Sequence, residues 1–287
     1  MRSVIVTGAS RGLGFATAVN LYRGGWQVVA AMRSPDAGLA LLREVTGAST
    51  KDERLLAVRL DLEDEESIVS AAKEIREVVG APFGIVHNAG LAGVGTVEEM
   101  PIANWEQIFA ANFFGPVRLT RELLPSMRDA GEGRIVLISS EGAVLGMPGI
   151  GAYSASKSAI ERWGESLSQE ISPYGLGVTV LVTGSFKTDI LELTPTFGDP
   201  DGPYALMHEN LERRGRRLMR FAANPNRFAP AVARALDDSA PYARHSVGID
   251  AKLLMLGRRT MPTRLLQGMI RRVLGLPKPN SLTGRSS

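Results

Sequence analysis

Six short apolar runs recur along the first 185 residues, and each is separated from the next by a stretch of helical spacing. The runs are Val4–Val6, Val28–Ala31, Leu55–Val58, Gly84–Val86, Ile135–Ile138 and Val178–Val182. The intervals 13–23, 37–47, 65–79, 104–129 and 152–172 carry apolar residues at the helical period. A strand that is apolar at every position, rather than at alternate ones, is buried on both faces. That requires a parallel sheet covered by helices on each side. The expected fold is therefore α/β, a Rossmann-type doubly wound parallel sheet with right-handed crossovers. At 287 residues the chain is long enough for one such core, so residues 1–287 are read as a single domain.

After residue 188 the pattern loosens. Prolines and glycines interrupt LELTPTFGDPDGPY, and an Arg-rich helical stretch, NLERRGRRLMRF, follows. An insertion of this length, 189–226, is expected to act as a helical lid over a substrate. A helix is predicted over 229–237 and a last edge strand in HSVGI, 245–249. Residues 250–287 form a C-terminal helical extension. Within it, 264–275 places Leu265, Leu266, Met269, Ile270, Val273 and Leu274 on one face and Arg264, Arg271 and Arg272 on the other. Such a basic amphipathic helix suits peripheral contact with a membrane surface, or the capping of the protein's own core or of a partner subunit.

Several function classes drop out on composition. There is no cysteine, which removes disulfides and thiol nucleophiles, and the three histidines are too scattered for a zinc site; no metal is expected. A strand begins almost at residue 1 and no apolar run reaches the length of a membrane span, so a cytoplasmic, soluble protein is expected. The net charge of +3 hides a division. Residues 1–203 hold 17 Lys/Arg against 25 Asp/Glu, and residues 204–287 hold 16 against 5. The basic C-terminal part suits an anionic lipid, an acidic carrier or a solvated oligomer face. No nucleic-acid motif accompanies it, and no nucleic-acid partner is expected.

The first strand runs straight into TGASRGLG and a helix, which brings Gly8, Ser10, Arg11, Gly12, Leu13 and Gly14 into one turn. Glycines let backbone approach a phosphate, and the helix start offers free N–H groups to a pyrophosphate. The spacing is G-x-x-x-G-x-G, and a tight structural turn also explains it. At the end of the second strand, where an NAD-binding chain carries a carboxylate for the ribose 2′-hydroxyl, stand Met32 and Arg33. Arg33 and Arg11 suit a 2′-phosphate instead, which points to NADP(H). Asp61, at the end of the third strand, can accept a hydrogen bond from an adenine amine. Asn88, Ala89 and Gly90, after the fourth, let the chain pass close to a ribose. A turn or helix cap also explains either group.

The helix opening GAYSASK sets Tyr153 and Lys157 at i and i+4, on one face. An ammonium beside a phenol favours the phenolate, and with an oxidised nicotinamide nearby it is expected to lower the pKa of Tyr153. That makes Tyr153 a general acid/base and leaves Lys157 to hold the nicotinamide ribose. Isolated, the pair is no more than a surface pair. It is accompanied by Ser140 at the end of the fifth strand, where ligands gather in open α/β sheets, and by Asn112 within the 104–129 helix. Ser140 can bind the substrate oxygen. A buried Asn112 can kink its helix and hold a water that relays protons from Lys157.

Together these pieces resemble the short-chain dehydrogenase/reductase family: TGASRGLG at 7–14, Asp61-Leu62, NAG at 88–90, Asn112, Ser140 and YSASK at 153–157, in the family's order and at its spacings. The resemblance covers about residues 1–190. It implies a sheet of about seven strands in the order 3-2-1-4-5-6-7 and a catalytic tetrad of Asn112, Ser140, Tyr153 and Lys157. It adds Leu62 and Thr188 to the cofactor residues, Thr188 toward the nicotinamide carboxamide. It also implies a homo-oligomer, dimer or tetramer. Two positions depart from the family: Thr183-Gly184 stands where Pro-Gly is usual, and His87 precedes Asn88 where a second asparagine is usual. His87 reads as a core histidine.

The expected reaction is NADP(H)-dependent hydride transfer to a carbonyl, or from the corresponding alcohol. Val144, Leu145, Met147, Leu191, Leu193, Phe197, Tyr204, Met207, Leu211 and Leu218 suggest an apolar pocket and a bulky lipophilic small-molecule substrate. The C-terminal region adds a weaker resemblance to the steroid/retinol dehydrogenase branch. A ketoreductase for carrier-linked or polyketide-type acyl chains, and a non-catalytic NADP(H)-binding regulator, are the alternatives.

Overall fold

Val4, Ile5 and Val6 are all fully buried, although successive side chains of a strand point to opposite faces. The computed structural model, which describes residues 1–188 and 194–281, shows why. These residues lie in β1 (Ser3–Thr7), at the centre of one sheet with β2 (Gln27–Met32), β3 (Leu55–Arg59), β4 (Gly84–His87), β5 (Gly133–Ser140), β6 (Leu176–Thr183) and β7 (Tyr242–Val247). The order is β3-β2-β1-β4-β5-β6-β7 and every pairing is parallel. The doubly wound sheet expected from the sequence is the one observed.

One face packs against α3 (Glu65–Val79), α5 (Gly115–Ala130) and α7 (Gly151–Ile171); the other packs against α1 (Gly12–Arg23), α2 (Pro35–Thr46) and α9 (Ala229–Leu236). The helices present apolar stripes to the sheet, such as Leu119, Leu123 and Met127 on α5, all fully buried. Burying each such side chain is worth about 1.5–3 kcal/mol. Local signals set the ends: the Asp64 side chain accepts from Glu66 N to cap α3, and Gly47 in the left-handed region closes α2.

The predicted single helix over 104–129 is divided. It begins as α4 (Ile102–Phe109), widens into a π-helical turn over Ala110–Phe114, and continues as α5. The edge strand occupies Tyr242–Val247 rather than 245–249, because it takes its register from β6. Beyond the sheet lie α6 (Glu141–Val144), α8 (Ala205–Met219), α10 (Ile249–Thr260) and α11 (Thr263–Leu274). Among the described residues no helix is long and apolar enough to cross a membrane.

Candidate active site

At the carboxyl ends of β1 to β4 the strand order reverses and a crevice opens. Its floor is stitched by Thr7, whose Oγ1 accepts from Asn88 N and Ala89 N, each at 3.0 Å. Asn88 Nδ2 returns a bond of 2.9 Å to Thr7 O. The turn after β1 places Gly8 at φ +67°, and a Cβ there would stand 2.9 Å from Ala89 Cα. Only glycine fits that approach.

The cleft measures about 610 Å³, and Gly8, Ser10, Arg11, Gly12, Leu13, Arg33, Asp61, Leu62, Asn88, Ala89, Gly90 and Thr188 all line it. Gly14 does not. It packs beneath the loop, against Gly8 O and Asn88 Nδ2. Asp61 also serves locally: its Oδ1 accepts from Glu63 N at 3.1 Å, so the turn and the cleft share the same residue. The residues fit a dinucleotide. A glycine loop opens α1, two arginines enter at the end of β2 and from the loop, and the β2 end itself offers Met32 and Ser34 rather than a carboxylate.

The predicted tetrad lies beside this cleft. Tyr153 sits in the first turn of α7, half-buried, and Ser140 ends β5 facing it. Lys157 is buried, donates from Nζ to Ile138 O at 2.9 Å, and stands 5.9 Å from the Tyr153 ring centre. Asn112 lies in the π turn, fully buried, with its amide spanning two elements. Oδ1 accepts from Leu91 N at 2.7 Å, and Nδ2 donates to Leu91 O and Ser156 Oγ, each at 2.9 Å. Gly90 joins the two sets: a Cβ on it would lie 3.1 Å from Asn112 Oδ1 and 3.3 Å from Lys157 Nζ.

Within the chain itself, burial dominates the electrostatics at Tyr153. Burial raises its pKa, a hydrogen bond with Ser140 lowers it, and the nearby Glu141 carboxylate raises it further. Lys157 Nζ lies over the Tyr153 ring and bonds Ile138 O, and its own pKa is pulled down to about 8 by burial. Glu141, first residue of α6, is held up at about 7 by burial and by Asp250. His87 is buried, bonded through Nε2 to Thr120 Oγ1 at 2.8 Å, and lowered to about 3 by burial and by Lys157. It is a neutral core residue with no described partner at Nδ1.

Sequence reading missed several supports. Ser156 Oγ donates to Tyr153 O at 2.8 Å while accepting from Asn112, and so ties α7 to the π turn. Glu161 follows Lys157 by one helical turn and is 3% exposed. It accepts from Ser139 Oγ at 2.5 Å and from Arg244 Nε at 3.0 Å, which joins α7 to β5 and β7. The acidic pair after β4 was also unread. Glu99 accepts from Thr96 Oγ1 and hydrogen-bonds His208 Nε2, each at 2.6 Å, and Tyr204 OH donates to Glu98 at 2.7 Å. Burial alone would raise the Glu99 carboxyl, but its bonds with Thr96, His208 and Asp199 N hold it at about 2. These bonds lay the start of α8 across the loop after β4.

Of the expected apolar wall, Tyr204 and Met207 line a second cavity of about 470 Å³ with Val97 and Pro148, and Phe197 packs on Met100. Leu218 instead faces solvent, 47% exposed, because the last turns of α8 run beyond this layer. Leu191 and Leu193 lie outside the described residues.

Comparisons with known proteins agree on one family. A sequence model described as short chain dehydrogenase matches residues 2–196. The uncharacterized oxidoreductase YbbO of Escherichia coli K12 is 32% identical over 270 residues, 94% of each chain. Retinol dehydrogenase 5 of Mus musculus is 28% identical over 293 residues, 96% of this chain and 89% of its own. A short-chain dehydrogenase from Streptomyces avermitilis superposes with a TM-score of 0.79 at 31% identity, covering 96% of this chain and 98% of that one.

Proposed function

Because this chain belongs to the short chain dehydrogenase family, we propose that it is an NADP(H)-dependent oxidoreductase that interconverts a bulky lipophilic carbonyl compound and its alcohol. The observation that carries the reading is the meeting of Ser140, Tyr153, Lys157 and Asn112 at the rim of a cleft that also holds Arg11 and Arg33. In the reading, Gly8, Ser10, Gly12 and Leu13 receive the pyrophosphate and Arg11 and Arg33 the 2′-phosphate. Asp61 and Leu62 face the adenine, and Asn88, Ala89, Gly90 and Thr188 flank the riboses and nicotinamide. Gly14 supports the loop from below.

Bound NADPH supplies the hydride. The chain supplies the rest. Ser140 and Tyr153 hold the carbonyl oxygen between two hydroxyls, which fixes the carbonyl carbon and polarises the bond. Tyr153 donates its proton to that oxygen as negative charge develops there. At neutral pH the phenol holds its proton and can give it up. Lys157, at about 8, can return a proton to the tyrosinate through its ammonium. Asn112 holds Leu91 and Ser156 so that the floor beneath Lys157 keeps its shape. The apolar residues around Phe197, Met207 and Val97, and the likeness to a retinol dehydrogenase, support a lipophilic substrate.

The test is NADPH oxidation against a panel of ketones, aldehydes, retinoids and steroids, with Tyr153→Phe and Arg33→Asp alongside. Tyr153→Phe is expected to lower kcat by about 10³-fold or more while NADPH still binds. Arg33→Asp is expected to weaken binding of 2′,5′-ADP but not of 5′-AMP. Turnover by Tyr153→Phe at the wild-type rate would overturn the mechanism, and equal affinity of the wild type for both nucleotides would overturn the cofactor assignment.

A further inference from the structure

The helical hairpin α10–α11 turns apolar side chains outward. Ile249, Leu253 and Leu256 recur at helical spacing on α10, and Leu265, Met269 and Val273 on α11. All six are between 47% and 78% exposed. Of the amphipathic face predicted for α11, only Leu266 is fully buried, beside Gly257 of α10. Ile270 and Leu274 are partly buried, and Leu265, Met269 and Val273 are left exposed.

The same hairpin is strongly basic. Lys252, Arg258, Arg259, Arg264, Arg271 and Arg272 are all exposed. None forms an ion pair among the described residues. The single carboxylate on these helices, Asp250, is already engaged by Ser185 N at 2.6 Å and Ala251 N at 3.0 Å. The hairpin is held firmly: α10 packs against α6, which follows Ser140, and Arg214 of α8 donates to Val273 O at 3.1 Å.

These observations select the occupant. A second copy meeting this face by two-fold symmetry would set six cations against six with no carboxylate between them. An acidic protein would answer the charges but leave the apolar stripes facing polar surface. An anionic bilayer answers both, with phosphate headgroups for the cations and the upper acyl region for the stripes. We propose that α10 and α11 dock this protein peripherally on an anionic lipid surface, which would set the mouth beside Ser140 close to the membrane.

The experiment uses the full chain with NADPH and vesicles of phosphatidylcholine alone or with phosphatidylglycerol, read by co-sedimentation. The protein is expected to bind only the anionic vesicles and to be released at about 0.5 M salt. Arg271→Gln with Arg272→Gln is expected to weaken binding by about 30-fold, and Leu265→Gln with Met269→Gln also to weaken it. Both variants change exposed residues only, and unaltered NADPH binding verifies their fold. Absence of binding to anionic vesicles, or equal binding to both kinds, would overturn the proposal. So would a dimer that Leu265→Gln with Met269→Gln dissociates, or capture of an acidic acyl-carrier protein without vesicle binding.

Discussion

One residue beyond Ser140, Glu141 adds a charge that no motif announces. Its carboxyl ionises near pH 7, and once ionised it opposes a phenolate at Tyr153. Alcohol oxidation needs Tyr153 to accept a proton, so the activity should rise with pH as the phenol ionises. Glu141→Gln removes the opposing charge, so that rise is expected at lower pH than in the wild type. The pH profile of kcat/KM for alcohol oxidation measures it, and an unchanged or upward displacement would refute the coupling. At this scale the sequence was legible where residue type and spacing carry the chemistry, as in Tyr153 with Lys157 or Arg33 at a strand end. It was silent on Glu141, Ser156 and Thr7, which are ordinary polar residues until folding supplies Asp250, Asn112 and Asn88 as their partners. It also left out the burial of Tyr153, which raises the phenol before any cofactor charge is added.

Between elements, Glu161 is the joint that holds α7 to β5 and β7. A buried carboxylate of this kind is tolerated only while its cation stays in place. Arg244→Met is therefore expected to destabilise the fold by about 3 kcal/mol, and Ser139→Ala by about 1 kcal/mol. Urea denaturation gives both values, and a loss well below 1 kcal/mol for Arg244→Met would refute the role. A double substitution with Glu161→Met should recover part of the loss, because no buried charge remains. The strands and most helices were legible because their apolar runs and capping residues are local. A kink at buried Asn112 was legible, but its form as a π turn over Ala110–Phe114 was not, since that answers to the partners Leu91 and Ser156, a long-range fact. The register of β7 was likewise set by β6 rather than by its own residues.

For the whole molecule, the dinucleotide crevice gathers β1, β2, β3 and β4 with the loop at Thr188, so occupying it should brace the entire sheet. At a hundredfold excess over its Kd, NADPH is expected to stabilise the fold by about 2.7 kcal/mol and to raise Tm by about 5 °C. NADH at the same concentration should raise it less, and differential scanning fluorimetry makes the comparison. An equal or larger rise with NADH would refute the arginine argument. The layered architecture was readable from strand–helix alternation alone, while the surroundings of α8, α10 and α11 depend on tertiary contacts that no period encodes. The crevice floor also fixes an order of events during synthesis. Thr7 finds Asn88 and Ala89 only across about 80 residues of chain. Closing that loop costs about 4 kcal/mol of chain entropy. Until β4 leaves the ribosome, β1 can pair only with β2, and a strand of buried valine and isoleucine keeps one bare edge. The nascent chain is therefore most open to cross-pairing with its neighbours while its first ninety residues are being made.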